Sequence, residues 1–256
     1  AFIMRSYKVT NYKAYGTSAL RETINRSLLL DQIELRTGIH IDLLSNSEQR
    51  FLNYKSVASK SKDFLSTIEK GTAIADIGGG SIQISLFDND KLAVTQDIDI
   101  GVSRLFGRMK SLDLKSSDYE NVLFELIDSQ LSVFKRLYVS GREIRNLIIV
   151  DDYLSPIVYR RTVDSDNPGF VKAERFNAFY ERLKEMEPER FSMEYGVPIE
   201  NIEIVHIAAA MVKRMLVHLM ADNLWAPGAT LTDGIAYEYG ERKRLIAMSH
   251  DFDEDI

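Results

Sequence analysis

The chain has 256 residues, no cysteine, a formal net charge of −6 and 45% hydrophobic residues. That size and apolar share suffice for one large or two modest domains, while the missing cysteines exclude disulfides, thiolate metal sites and cysteine nucleophiles. The acidic balance argues against a nucleic-acid surface, which needs clustered Lys and Arg, and there is neither a run of about 18 apolar residues nor a signal-peptide pattern, so a cytoplasmic protein without nucleic-acid or membrane partners is expected.

In chain order, the spacing of apolar residues predicts a strand over Lys8–Gly16, a helix over Ser18–Gly38 stopped by its glycine, a strand over Ile39–Leu44 and a helix over Ser47–Ser61. Three antiparallel strands are expected after Lys70, at 72–77, 81–87 and 91–100, the last two joined at Asp88-Asn89-Asp90. A short helix lies between Gly101 and Gly107, and Tyr119–Tyr138 carries Val122, Leu126, Ile127, Leu131, Phe134 and Leu137 on one stripe. Asn146–Val150 reads as a buried strand, Glu174–Met186 as a helix before Pro188, Ile202–Val205 as another strand and Ala208–Asn223 as another helix. The order is β-α-β-α followed by βββ-α-β-α-β-α, as if one unit occurred twice with the three leading strands of the first copy removed.

Residues 72–87 carry the strongest functional signal. An apolar run reaches Asp76, Gly78-Gly79-Gly80-Ser81 follow, and Ile82, Ile84 and Leu86 then alternate with Gln83, Ser85 and Phe87, which reads as strand, tight turn, strand. Without Cβ atoms the glycines can adopt positive φ and aim successive N–H groups at one anion, and Asp76 stands where a carboxylate can hold Mg2+ or another divalent cation against phosphate oxygens. An ordinary glycine hairpin has the same local pattern.

Five blocks occur in order: Thr17-Ser18-Ala19-Leu20-Arg21-Glu22; Thr37-Gly38-Ile39 leading to Leu44-Ser45; Glu48; Asp76-Ile77-Gly78-Gly79-Gly80-Ser81; and Gly101-Val102-Ser103-Arg104-Leu105. With these blocks, spanning residues 17–105, the chain resembles the exopolyphosphatase and guanosine pentaphosphate phosphohydrolase family of the actin-like superfamily. Weaker echoes stand at Ala208-Ala209-Ala210 and Thr232-Asp233-Gly234. The resemblance implies an α/β, actin-like (ribonuclease H-like) two-lobe fold with mixed sheets flanked by helices. The expected parts are a truncated N-terminal lobe over 1–70, a second lobe over 71–240 and the start of a helical region over 241–256.

The resemblance also implies roles. Glu48 corresponds to the glutamate that activates the attacking water, Asp76 to the metal-associated aspartate, Gly78, Gly79, Gly80 and Ser81 to a phosphate loop, and Arg21 to an arginine lining the phosphate cleft. The implied reaction is release of terminal phosphate from polyphosphate or guanosine pentaphosphate with Mg2+, which needs a base at the water and charge stabilisation at the transferring group. Two departures stand out. The family's first phosphate loop, an Asp-x-Gly-Ser hairpin, has no counterpart here, and Gln83 stands where the family often has glutamate. The chain opens on Ala1-Phe2-Ile3-Met4 and closes in the acidic tail Asp251–Asp255. It is therefore expected to be a piece of a longer protein, itself a weak catalyst or none.

Taken alone, several of these residues have plainer readings. Glu48 complements a helix dipole in a first turn, Arg21 is a solvated helix charge, Arg104 caps or pairs locally, and His206 is a hydrogen-bonded core residue. The dipeptide His250-Asp251 lacks the separated partners of a metal site. A catalytically weak phosphate- or nucleotide-sensing module stands as the alternative to the hydrolase, and a sugar or acetate kinase as a third reading without a legible adenosine pocket. Family members often dimerise and the helices after residue 110 offer apolar faces, so a homodimer is compatible, as is a monomer.

Overall fold

The structure, a computed structural model, describes residues 1–60, 67–68, 71–89, 91–112, 115–162 and 167–253, with residues 116 and 243–253 described by backbone alone. Ser61, Asp90 and the tail beyond residue 253, which the sequence reading included, lie outside the described residues. The chain divides into two compact units, residues 1–51 and 52–256.

The first unit holds helices α1 (Phe2–Ser6), α2 (Ser18–Arg21) and α3 (Arg26–Thr37), strands β1 (Tyr15–Gly16) and β2 (Asp42–Leu43), and the first turns of α4 (Asn46–Lys60). β1 and β2 pair in parallel, Tyr15 opposite Asp42 and Gly16 opposite Leu43. The strand expected over Lys8–Gly16 thus shrinks to its last two residues. The long helix expected over Ser18–Gly38 is interrupted between Arg21 and Arg26, where Thr23 Oγ1 turns back to the Ala19 carbonyl at 2.7 Å. Such back-bonding offers the backbone an alternative to helix, and no glycine or proline announces it. Gly38 does stop α3 as expected, in the left-handed conformation at φ 72°.

The second unit is built on a six-stranded sheet. Its strands are β3 (Thr72–Ile77), β4 (Ile82–Asp88), β5 (Lys91–Ile98), β6 (Asn146–Val150), β7 (Phe170–Lys172) and β8 (Asn223–Trp225), in the spatial order β5-β4-β3-β6-β8-β7. β3, β4 and β5 form an antiparallel meander, β6 lies parallel to β3 and β8 parallel to β6, and β7 closes the far edge antiparallel. The alternation read in 72–87 is realised: Ala73, Ala75, Ile77, Ile82, Ile84 and Leu86 enter the larger core, while Ile74 and Phe87 enter a smaller one on the opposite face.

Helices α5 (Val102–Ser111), α6 (Ser116–Phe134, continuing as a π-turn through Val139), α7 (Ser155–Arg161), α8 (Ala173–Lys184), α9 (Pro188–Tyr195), α10 (Ile202–Leu219) and α11 (Leu231–Asp253) complete the unit. Leu123, Ile127, Leu131 and Phe134 of α6 and Ile202, Val205, Ala208, Ala209, Val212, Met215, Leu216 and Leu219 of α10 fill the larger core. The smaller core takes Val57 of α4, Trp225 and Ala229. Full burial of each large aliphatic side chain contributes roughly 1.5–3 kcal/mol.

The strand expected at Ile202–Val205 is a correction: those residues are the first turn of α10. Four residues with two β-branched ends imitate a buried strand, yet residues 202, 205, 209, 212, 216 and 219 recur at helical spacing and are all buried. The missing strand is β8, which follows the helix. The mixed sheet in this order, flanked by helices on both faces, is the actin-like fold that the resemblance implied.

Candidate phosphate site

The turn between β3 and β4 is held by a specific set of main-chain bonds. Gly78 N–H donates to the Ser81 carbonyl at 3.0 Å, closing the turn on itself. The first turn of α5 then donates to it from outside, Val102 N–H to the Gly78 carbonyl and Arg104 N–H to the Gly79 carbonyl, each at 3.0 Å. Three of the turn's four carbonyls are therefore engaged. Among the described residues the N–H groups of Gly79, Gly80 and Ser81 donate to no protein acceptor, and all three residues are half-buried.

The glycines serve a purpose other than the one expected from sequence. Neither Gly78 nor Gly79 has a positive φ. What the turn requires is close approach, because a Cβ on Gly79 would fall 2.9 Å from Ser103 Oγ. A Cβ on Gly101 would fall 2.3 Å from the Gly79 carbonyl oxygen and 2.4 Å from the Gly80 carbonyl carbon. Gly101, the N-cap of α5, thus lets the helix start directly on the 79–80 peptide. The Gly-x-x-Arg block at 101–104 is the sequence signal for this contact, although the sequence reading gave it no role.

Asp76 is the next-to-last residue of β3, paired with Gln83 on β4 and with Val150 on β6. Asp76 and Gln83 thus sit side by side across the antiparallel pair just below the turn. Among the described residues no group of three or more His, Asp or Glu side chains is arranged to hold a metal. A carboxylate and an amide beside free N–H groups suit a magnesium ion held mostly by phosphate oxygens and water, and do not suit a cage made wholly of protein ligands.

The neighbouring strand end is occupied by its own anion. Asp151, buried at 4% exposure, follows β6 and accepts the N–H groups of Tyr153 (2.7 Å) and Leu154 (2.5 Å) on Oδ1 and of Ser155 (3.0 Å) on Oδ2. Burial pushes its carboxyl up to about 6, against the pull of those three donors. Next to it, Asp152 is raised by burial and then by Asp233, which itself accepts Thr230 N–H at 2.8 Å and pairs with Lys60 at 3.2 Å. The sequence reading missed this lock, although an aspartate followed by a serine four residues on, at the end of an apolar strand, signals it.

In the first unit, Arg21 and Glu48 come to one short turn. Arg21 Nη1 donates to the Leu44 carbonyl at 2.7 Å and to Gln49 Oε1 at 3.5 Å. Ser45 donates to Glu48 Oε2 through both its N–H (2.9 Å) and its hydroxyl (2.7 Å), and Glu48 N–H returns to Ser45 Oγ at 3.2 Å. This reciprocal pair is a capping box at the start of α4. The Ser45 N–H, and secondarily its hydroxyl, holds the exposed Glu48 carboxyl below the usual glutamate range. His206, read from sequence as a hydrogen-bonded core residue, is half-buried: it packs edge-on to Phe191 at 5.3 Å and burial lowers its pKa, but its Nε2 has no hydrogen-bond partner among the described residues. No helix among the described residues is long and apolar enough to cross a membrane.

A family model described as the Ppx/GppA phosphatase family matches residues 1–242. A guanosine-5'-triphosphate,3'-diphosphate pyrophosphatase of Vibrio atlanticus is 22% identical over 243 residues, covering 92% of this chain and 46% of the relative. The chain spans less than half the length of the curated relatives it matches. Among solved structures, an exopolyphosphatase from Cytophaga hutchinsonii superposes with a TM-score of 0.71 at 17% identity, covering 92% of this chain and 77% of that one. The Ppx/GppA family member of Aquifex aeolicus gives 0.66 at 16% identity, covering 94% and 78%. With the family model running over nearly its whole length, the meander, the glycine turn and the acidic strand end described above are those of a member of the Ppx/GppA phosphatase family.

Proposed function

We propose that the chain binds the terminal phosphate of inorganic polyphosphate or guanosine pentaphosphate on the 78–81 turn and takes part in hydrolysing the phosphoanhydride behind it. The observation that carries this reading is the one-sided turn: its carbonyls are tied to α5 and to Gly78, while the N–H groups of Gly79, Gly80 and Ser81 remain for an anion. Arg21, in the first unit, keeps the role that the resemblance implied for it, a guanidinium suited to phosphate oxygens. In the reaction, water attacks the terminal phosphorus, the bond to the bridging oxygen breaks, the shortened chain or nucleotide departs with that oxygen, the attacked phosphorus is released as orthophosphate, and Glu48 accepts the water proton. Asp76 and Gln83 are the side chains to hold a magnesium ion, which supplies charge stabilisation on the phosphate oxygens.

The test is phosphate release from polyphosphate and from guanosine pentaphosphate in magnesium, for wild type and Glu48→Gln. Release that falls at least 100-fold in the variant, with polyphosphate binding retained, supports the reading. The depressed Glu48 pKa adds a signature. A base with a lowered pKa stays ionised further into acid, so the acidic limb of the rate profile lies below the ordinary glutamate value and moves upward in Ser45→Ala. A second reading, a phosphate- or nucleotide-sensing module, is favoured by the same capping box, because a carboxylate committed to Ser45 is a weak base. Tight binding without release by the wild type selects it.

A further inference from the structure

We propose that Ser103 is a further phosphate ligand of this site, its hydroxyl and N–H completing the donor set of Gly79, Gly80 and Ser81. The inference rests on the phosphate reading of the turn and deepens it. α5 touches the turn at three consecutive residues, and they are not used alike. Val102 and Arg104 spend their N–H groups on the Gly78 and Gly79 carbonyls, each at 3.0 Å. Ser103, between them, donates to no protein acceptor through either its N–H or its hydroxyl among the described residues, and it is exposed.

Its position is nevertheless fixed. The two flanking bonds and the Gly101 contact pin the backbone on both sides, and the hydroxyl lies where a Cβ on Gly79 would meet it at 2.9 Å. A hydroxyl held against Gly79 and bonded to no protein group among the described residues contributes little to the fold. On this proposal it bonds an oxyanion seated on the Gly79 and Gly80 amides, and a hydrogen bond to a charged oxygen is about twice as strong as a neutral one. The same contact gives a second reason for glycine at 79, since any side chain there would displace the hydroxyl. The chemistry recognised is a terminal phosphate, whose three unsubstituted oxygens offer more acceptor sites than a bridging one.

The test uses the 256-residue chain, inorganic tripolyphosphate as the titrated probe, and three variants: Ser103→Ala, Ser103→Thr and Gly101→Ala. Ser103→Ala is expected to weaken tripolyphosphate binding about tenfold with an unchanged melting temperature, and Ser103→Thr, which keeps the hydroxyl, to recover most of it. Gly101→Ala, whose Cβ intrudes on the 79–80 peptide, is expected to abolish binding. If Ser103→Ala binds as wild type while Gly101→Ala does not, the role of Ser103 is refuted and the phosphate reading stands. If neither variant alters binding, or the wild type does not bind tripolyphosphate, the phosphate reading itself falls. A Ser103→Ala defect that comes with a lowered melting temperature and no recovery in Ser103→Thr assigns the residue to the fold and also refutes the proposal.

Discussion

The two units are held together by different forces. In residues 1–51 only Gly16, Ser18 and Leu44 are buried, and the geometry depends on polar locks: the Ser45–Glu48 capping box, Arg21 on the Leu44 carbonyl, and Tyr12 Oη donating to the Gly38 carbonyl at 3.0 Å. In the second unit a sheet buried on both faces does the work, and polar groups such as the amides of Gly79, Gly80 and Ser81 are left over. The 78–81 turn can keep unpaired donors because the strands beneath it are secured by apolar area, not by those donors. The carboxylate and guanidinium of the first unit, by contrast, are already part of its scaffold.

Ile84→Ala is the hardest test of this contrast. Ile84 is fully buried in the larger core, and its truncation should cost about 2–5 kcal/mol in urea unfolding. A loss below about 1 kcal/mol would contradict a core-held second unit.

Asp151→Asn probes a buried acidic lock beside that core. With a folded-state pKa near 6, above the ordinary aspartate value of about 3.9, the native state holds this proton more tightly than the unfolded chain. The resulting stability is full below about pH 4 and is lost as pH rises through about 6. The stability gap between wild type and the asparagine variant should therefore be wider at pH 4.5 than at pH 7.5, by roughly 2 kcal/mol. A gap independent of pH would mean the carboxylate is ionised throughout.

The smallest effects belong to the first unit. Ser45→Ala removes the hydroxyl arm of the capping box, leaving the Ser45 N–H on Glu48, and should cost about 1 kcal/mol, read by hydrogen exchange over the first turns of α4. Leu35→Ala on α3, where the side chain is 81% exposed, should stay within about 0.5 kcal/mol of wild type.

What the sequence disclosed follows the same division. The period-two alternation of 72–87 was legible because both faces of β3 and β4 are buried, so each residue's side of the sheet leaves a mark on its identity. The first unit, with almost nothing buried, leaves no such mark, which is why Lys8–Ala14 imitates a strand and residues 22–25 conceal a break. Ile202–Val205 misled for a local reason, since a first helical turn with apolar residues at both ends resembles a short strand until the next two turns are counted. At the turn, the glycines and Asp76 stand out by type, but the partner that shapes the turn does not. The contact between Gly101 and the 79–80 peptide spans more than twenty residues of chain, and only the packing of α5 discloses it.

The engagement of the Gly78, Gly79 and Ser81 carbonyls makes the turn a one-way polarity filter. With those lone pairs already turned toward Val102, Arg104 and Gly78, the surface offers hydrogens and almost no acceptors, so an ammonium group or a sugar hydroxyl seeking an acceptor finds little to hold it. On the proposed reading of the turn, the main chain would by itself favour oxyanions over neutral molecules of similar size.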